Sequence, residues 1–249
     1  MRYCTISSGS KGNSILVYTD NSVILIDCGI TRKKLMAGLE SCGLGLGKID
    51  KLLITHSHSD HIAGIRFIPQ EKWMVSRDVL EVPLEEEQYF EPYVPFQVGD
   101  FSIQPIPLSH DSKNTTGFII VSKGETLVYI ADTGFISDKA ISLIGGADYY
   151  LMEANHDTKM LYSSSRPMYL IRRIHSDHGH LDNIASACYL SLSITENTKE
   201  VTLVHLSDEC NAPERAIETY NKVMVAQLGK IPDVKLRCAS VVDMIKGGD

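Results

Sequence analysis

An apolar pentapeptide, "KLLIT" (51–55), runs straight into "HSHSDH" (56–61), which sets three histidines and an aspartate in six positions. Packing alone does not call for such a cluster, because each polar group that leaves water unpaired costs free energy. At an extended strand end, residues two apart point the same way. His56 and His58 are therefore expected to share one ion, with Asp60 and His61 turning toward a neighbouring position. Imidazole suits zinc, iron and manganese-type ions, and a carboxylate adds hard-ligand character. A solvated loop with surface histidines is the plainer alternative. It leaves the preceding apolar strand and the following Ala63-Gly64 unaccounted for.

Further donors stand at the ends of other apolar runs. His110 closes "IQPIPLSH", Asp132 closes "LVYIAD" ahead of Thr133-Gly134, and His205 lies near the end of "VTLVHLSD". With the opening motif they supply enough ligands for two metals sharing one attacking hydroxide. Asp27, in "LIDCG", reads either as support for the histidine loop or as an ordinary turn aspartate before Gly29.

The remaining pattern is mixed. Strands are expected at "RYCTIS", "SILVYT", "SVILIDCG", "WMVS", "FSIQPIPL", "TGFIIVS", "DYYLME" and "VKLRC". A helix follows Thr31, a suitable N-cap, and stops at Gly43. The spacing predicts further helices over 136–144, 167–175, 183–193 and 213–226. This reads as an α/β sandwich with covered sheets, in one domain over 1–249. "SSGSKGNS" (7–14) is not the GxGxxG turn of a dinucleotide fold. The formal net charge of -7 speaks against a general basic coat for nucleic acid and leaves room for a local groove. Six scattered cysteines, an N-terminus without a signal-peptide stretch and no membrane-spanning segment point to the cytoplasm. Nothing identifies a protein partner.

HxHxDH, a strand-end histidine, "ADTG" and a late histidine, in that order, resemble the metallo-β-lactamase superfamily. The resemblance implies a four-layer αββα sandwich and two divalent metal ions, Zn2+ or Mn2+. One ion takes His56, His58 and His110, the other Asp60, His61 and His205, and Asp132 bridges them. Histidine at position 58, where redox relatives carry glutamate, favours hydrolysis. "SSGSKGNS", "LSHDSKNTTGF", "MEANHD", "GHLDN" and "VHLSDECN" are together similar to the YycJ/WalJ group, DNA exonucleases described as degrading duplex DNA from the 5′ end. Asp182 and Cys210 depart from that group, which has Ser and Asn there, and Asp182 adds negative charge where phosphate would lie.

The function expected is phosphodiester hydrolysis of DNA by a dimetal-bound hydroxide. Asp60 would orient the nucleophile, and His180 or His156 would protonate the leaving oxygen. Ser8, Ser10 and Asn13 form a turn that either cradles an anion or simply links two strands. Asn155 is expected on a functional rim. Arg172 and Arg173 seat phosphate or complement a helix C-terminus, and Glu153 is assigned a structural role. A small or cyclic phosphodiester, RNA processing and a non-catalytic scaffold are the competing readings.

Overall fold

Thr31 and Gly43 bound the first helix for the reasons the sequence suggests, and most apolar runs become strands. The computed structural model describes residues 1–248. In chain order the elements are β1 (Arg2–Ser7), β2 (Ser14–Tyr18), β3 (Val23–Ile26), α1 (Arg32–Ser41), β4 (Lys51–Ile54), α2 (Ser59–Ile62), β5 (Trp73–Val75), β6 (Phe96–Val98), β7 (Phe101–Pro107) and β8 (Thr116–Ser122). Then come β9 (Glu125–Ile130), α3 (Asp138–Ile144), β10 (Tyr149–Glu153), α4 (Thr158–Tyr162), α5 (Met168–Ile174), α6 (Asn183–Ser193), β11 (Glu200–Val204), α7 (Pro213–Leu228), β12 (Lys235–Cys238) and β13 (Ile245–Gly248). The strands make two sheets, one of six and one of seven. The chain divides into two compact units.

The first unit comprises Met1–Pro107, Ser112–Glu125 and the stretch from Ala239 onward. Its six-stranded sheet has the order β13-β1-β2-β3-β4-β5. β1 to β3 run antiparallel, and β3, β4 and β5 are parallel. Every residue of β3, "VILI", is buried, as an unbroken apolar run requires. Thr31 Oγ1 accepts from Lys34 N at 3.4 Å and caps α1. Gly43, at φ 71°, ends it. α1 buries Leu35, Gly38 and Leu39. β6, β7 and β8 add an antiparallel ladder.

The second unit comprises Leu108–Asp111 and Thr126–Cys238. Here β9, β10, β11 and β12 are parallel. The register pairs Met152 with Ile130 and Glu153 with Val204. Asp132, Glu153 and His205 therefore leave neighbouring strands at one edge, the carboxyl end where parallel sheets place their chemistry. Asp182 caps α6 by accepting from Ala185 N at 2.8 Å. Pro213 opens α7, and Gly229, at φ 74°, closes it.

The boundaries of α6 match the expectation. β13, "IKGG", was not legible because glycines carry no strand signal; pairing with β1 makes it a strand. Among the described residues no helix is long and apolar enough to cross a membrane.

Candidate metal centre

In the first unit β4 stops at Ile54, so His56 and His58 lie beyond the strand rather than on its end. His58 caps the single turn α2, which carries Asp60 and His61. The His56 ring centroid is 4.7 Å from that of His58 and 4.1 Å from that of His61. Asp27, just past β3, organises the cluster. Its Oδ1 accepts from Thr55 N at 2.8 Å, and its Oδ2 accepts from Thr55 Oγ1 at 2.8 Å and His61 Nδ1 at 2.7 Å. An ionised carboxylate only accepts, so the His61 proton sits on Nδ1. The Thr55 hydroxyl proton is committed to Asp27, so its oxygen accepts from His56 Nδ1 at 3.0 Å. Burial pushes the Asp27 pKa up, against the pull of His61 and Thr55.

The backbone clamps the same loop. Asn13 N donates to Asp60 O at 2.7 Å, Gly29 N to Asn13 O at 2.9 Å and Cys28 N to His61 O at 2.9 Å. Gly29 permits this approach: a Cβ there would stand 1.6 Å from Asp60 O. Asn13 also uses its side chain inward, accepting from Gly9 N at 2.8 Å on Oδ1 and turning Nδ2 to Asp60 Oδ2 at 3.2 Å and His61 Nε2 at 2.9 Å.

In the second unit Glu153 is the hub. It is wholly buried, and its Oε1 accepts from His205 Nδ1 at 2.9 Å and His180 Nδ1 at 2.8 Å. Its Oε2 accepts from Thr133 N at 2.9 Å and Leu181 N at 3.3 Å. Burial alone would raise its pKa; His180 first, then His205, outweigh it and hold the carboxylate at about 2. Asp132 Oδ1 lies 3.3 Å from His205 Nδ1 and 3.9 Å from His110 Nε2. His110 donates from Nδ1 to Gly179 O at 3.0 Å, and burial lowers its pKa. Asp132, Glu153, His180 and His205 each offer a donor atom, all within 4.8 Å of one another.

These contacts test whether the residues suit metal ions. His56, His61, His110 and His205 each spend Nδ1–H on an oxygen of a hydroxyl, carboxylate or carbonyl, the arrangement that turns the Nε2 lone pair into a ligand; the His61 Nε2 lone pair accepts from Asn13 Nδ2 at 2.9 Å, a bond that an ion there would replace. The imidazole and carboxylate donors fit borderline divalent cations. Backbone conformation singles out the same places. Asp27, Asp132 and His205 are three of the seven non-glycine residues with positive φ among the described residues, at 56°, 57° and 56°. Strained φ values at strand exits are the usual mark of a side chain aimed for function.

A family profile described as "Beta-lactamase superfamily domain" matches residues 22–206. The chain belongs to this superfamily. It is 32% identical to exodeoxyribonuclease WalJ of Streptococcus pneumoniae (serotype 2, strain D39) over 249 residues, covering 94% of this chain and 93% of that protein. Exodeoxyribonuclease YycJ of Bacillus anthracis is 29% identical over 235 residues, covering 90% and 89%. The solved metallo-β-lactamase fold protein YhfI of Bacillus subtilis superposes with a TM-score of 0.70 at 18% identity, over 99% of both chains. The chain is thus a YycJ/WalJ-like protein of metallo-β-lactamase fold.

In this YycJ/WalJ-like chain the residues expected at the substrate fall into two sets. Asn13 and Asn155 are buried and committed to the protein, Asn155 donating to His205 O at 2.9 Å. Ser8 is buried too, and its N–H donates to Ser240 O at 3.0 Å, so that amide is spent. Arg173 pairs with Asp111, the residue after His110. Ser10 and Arg172 are exposed. His156, expected as a proton donor, is wholly enclosed, and burial pushes its pKa down to about 4, so it carries no spare proton at neutral pH. His180 keeps 19% of its side chain exposed. Thr55 and the hub role of Glu153 were missed as organising features: each acts through contacts that sequence spacing does not encode.

Proposed function

We propose that this chain is a dinuclear metal-dependent phosphodiester hydrolase, an exonuclease on duplex DNA working from the 5′ end in the cytoplasm. The observation that carries the reading is end-to-end similarity to two exodeoxyribonucleases. The imidazole tautomers described above support the metal assignment. His56, His58 and His110 hold one ion, Asp60, His61 and His205 the other, and Asp132 is shared; zinc or manganese suits this donor set. When bound, the ions supply an acidified water and positive charge against the phosphate.

The chain's own residues do the rest. Asp60 orients the attacking water. Glu153 fixes the His180 ring through Nδ1, and His180 passes a proton from Nε2 to the leaving sugar oxygen. Replacing His180 with Gln is expected to lower DNA turnover by about a hundredfold with metal content intact. Bis-p-nitrophenyl phosphate separates the roles, because p-nitrophenolate leaves without a proton: its hydrolysis should hardly change. An equal fall on both substrates removes the general-acid role.

The reading itself is tested by comparing linear duplex DNA labelled at either end, single-stranded RNA and bis-p-nitrophenyl phosphate, each with and without EDTA. EDTA-sensitive loss of label from the 5′ end of duplex DNA is expected. Activity on the small ester alone would replace it with a small-phosphodiester hydrolase, and preference for RNA with a processing nuclease.

A further inference from the structure

His156, His175 and Asp182 converge within the second unit, outside the ligand set assigned above. His156 Nε2 lies 3.2 Å from His175 Nδ1, and His175 Nδ1 lies 4.0 Å from Asp182 Oδ2. The three donor atoms all fall within 4.8 Å of one another. We propose that these residues form a further divalent-cation site of the zinc type, one that pins the loop carrying His180.

Three features carry this. First, the spacing suits a shared ion. Two ligands about 2.0–2.1 Å from a tetrahedral ion stand about 3.3 Å apart, against the observed 3.2 Å between the two imidazoles. A small turn of the Asp182 carboxylate closes the longer gap. Its Oδ1 stays on Ala185 N while Oδ2 gives up a 3.3 Å hydrogen bond from Thr158 Oγ1.

Second, the His156 ring is wholly enclosed, and enclosure disfavours its charged form. The polar contact of this buried ring is on the His175 side. An imidazole kept neutral in this way is the form that binds a cation.

Third, the donors are held in advance. His156 O accepts from Asn183 N at 2.9 Å, and His156 and Asp182 form a parallel bridge. His175 caps the C-terminus of α5, its N–H donating to Ile171 O at 3.0 Å. Asp182 caps the N-terminus of α6. Two imidazoles and one carboxylate, with His175 36% exposed, leave a place for water as the fourth ligand.

The site bears on the reaction through the chain between its ligands. Residues 175–182 include Gly179, which accepts from His110 Nδ1, and His180. An ion held at both ends of this loop would fix both.

The experiment strips the full chain with chelator, reloads it with Zn2+, removes excess by gel filtration and counts zinc per chain by mass spectrometry. His175→Ala removes an exposed ligand, and Asp182→Asn keeps an oxygen for the helix cap. Each variant is expected to hold one zinc fewer than the wild type, to melt like it when metal-free, and to gain less in Tm when zinc is restored. The count is a difference, so it reads this site whether or not the ligands assigned to the dinuclear centre are right. Equal zinc content in all three proteins would reduce the 3.2 Å contact to an N–H···N hydrogen bond and end the proposal.

Discussion

Glu153→Gln is expected to cut DNA cleavage at least about a hundredfold and zinc affinity about 10–100-fold. The wild-type carboxylate receives four N–H groups, two imidazole on Oε1 and two backbone on Oε2. Only a carboxylate accepts on both sides. Glutamine is nearly the same size, yet its amide nitrogen must oppose one of these pairs. If it faces Thr133 and Leu181, two buried backbone donors lose their acceptor, at about 1–3 kcal/mol each. If it faces the imidazoles, His180 and His205 lose the bond that keeps their protons on Nδ1. The His205 Nε2 lone pair and the orientation of the His180 ring are then no longer assured. Thermal melting, zinc titration and DNA cleavage on one preparation read all three consequences. Wild-type melting together with wild-type zinc affinity would show that Glu153 does not organise the ligands.

That hub marks where sequence reasoning stopped. HxHxDH is legible because its donors are adjacent and follow an apolar run. Asp132 and His205 are legible because each sits one or two residues past such a run. Glu153 also ends a strand, but its importance comes from the parallel register that sets it between β9 and β11, and no local spacing reports register. Asn13 and Asn155 show a different limit. A polar residue in a loop looks the same whether it faces substrate or closes a backbone contact. Both here close contacts, with Gly9 and with His205 O. His156 likewise sits in a run of polar letters, "EANHD", and is nonetheless enclosed. The paired strand exits were predictable; the direction of polar side chains between them was not.

Gly29→Ala should be the most damaging single-methyl change near the HxHxDH loop, at more than about 4 kcal/mol. The added Cβ would meet Asp60 O at 1.6 Å, Asp60 C at 2.1 Å and His61 N at 2.7 Å, whereas real Cβ contacts essentially never fall under 3.0 Å. All three obstacles are backbone atoms, so no rotamer change relieves them. The loop can only retreat. In doing so it strains the bonds from Asn13 N to Asp60 O and from Cys28 N to His61 O, and pulls His61 from Asp27. Native domains are stable by about 5–15 kcal/mol, so the protein should be poorly folded or, where folded, deficient in zinc. Gly45→Ala is the control. Its backbone is ordinary, at φ -113°, and nothing lies within 4 Å of the new methyl. That change should alter stability by less than about 1 kcal/mol. A Gly29→Ala protein that melts within a few degrees of the Gly45→Ala protein and binds zinc normally would mean that Asp60 and His61 are not held by this close backbone approach. The loop would then owe its position to its side-chain contacts, with the Asp27 carboxylate foremost.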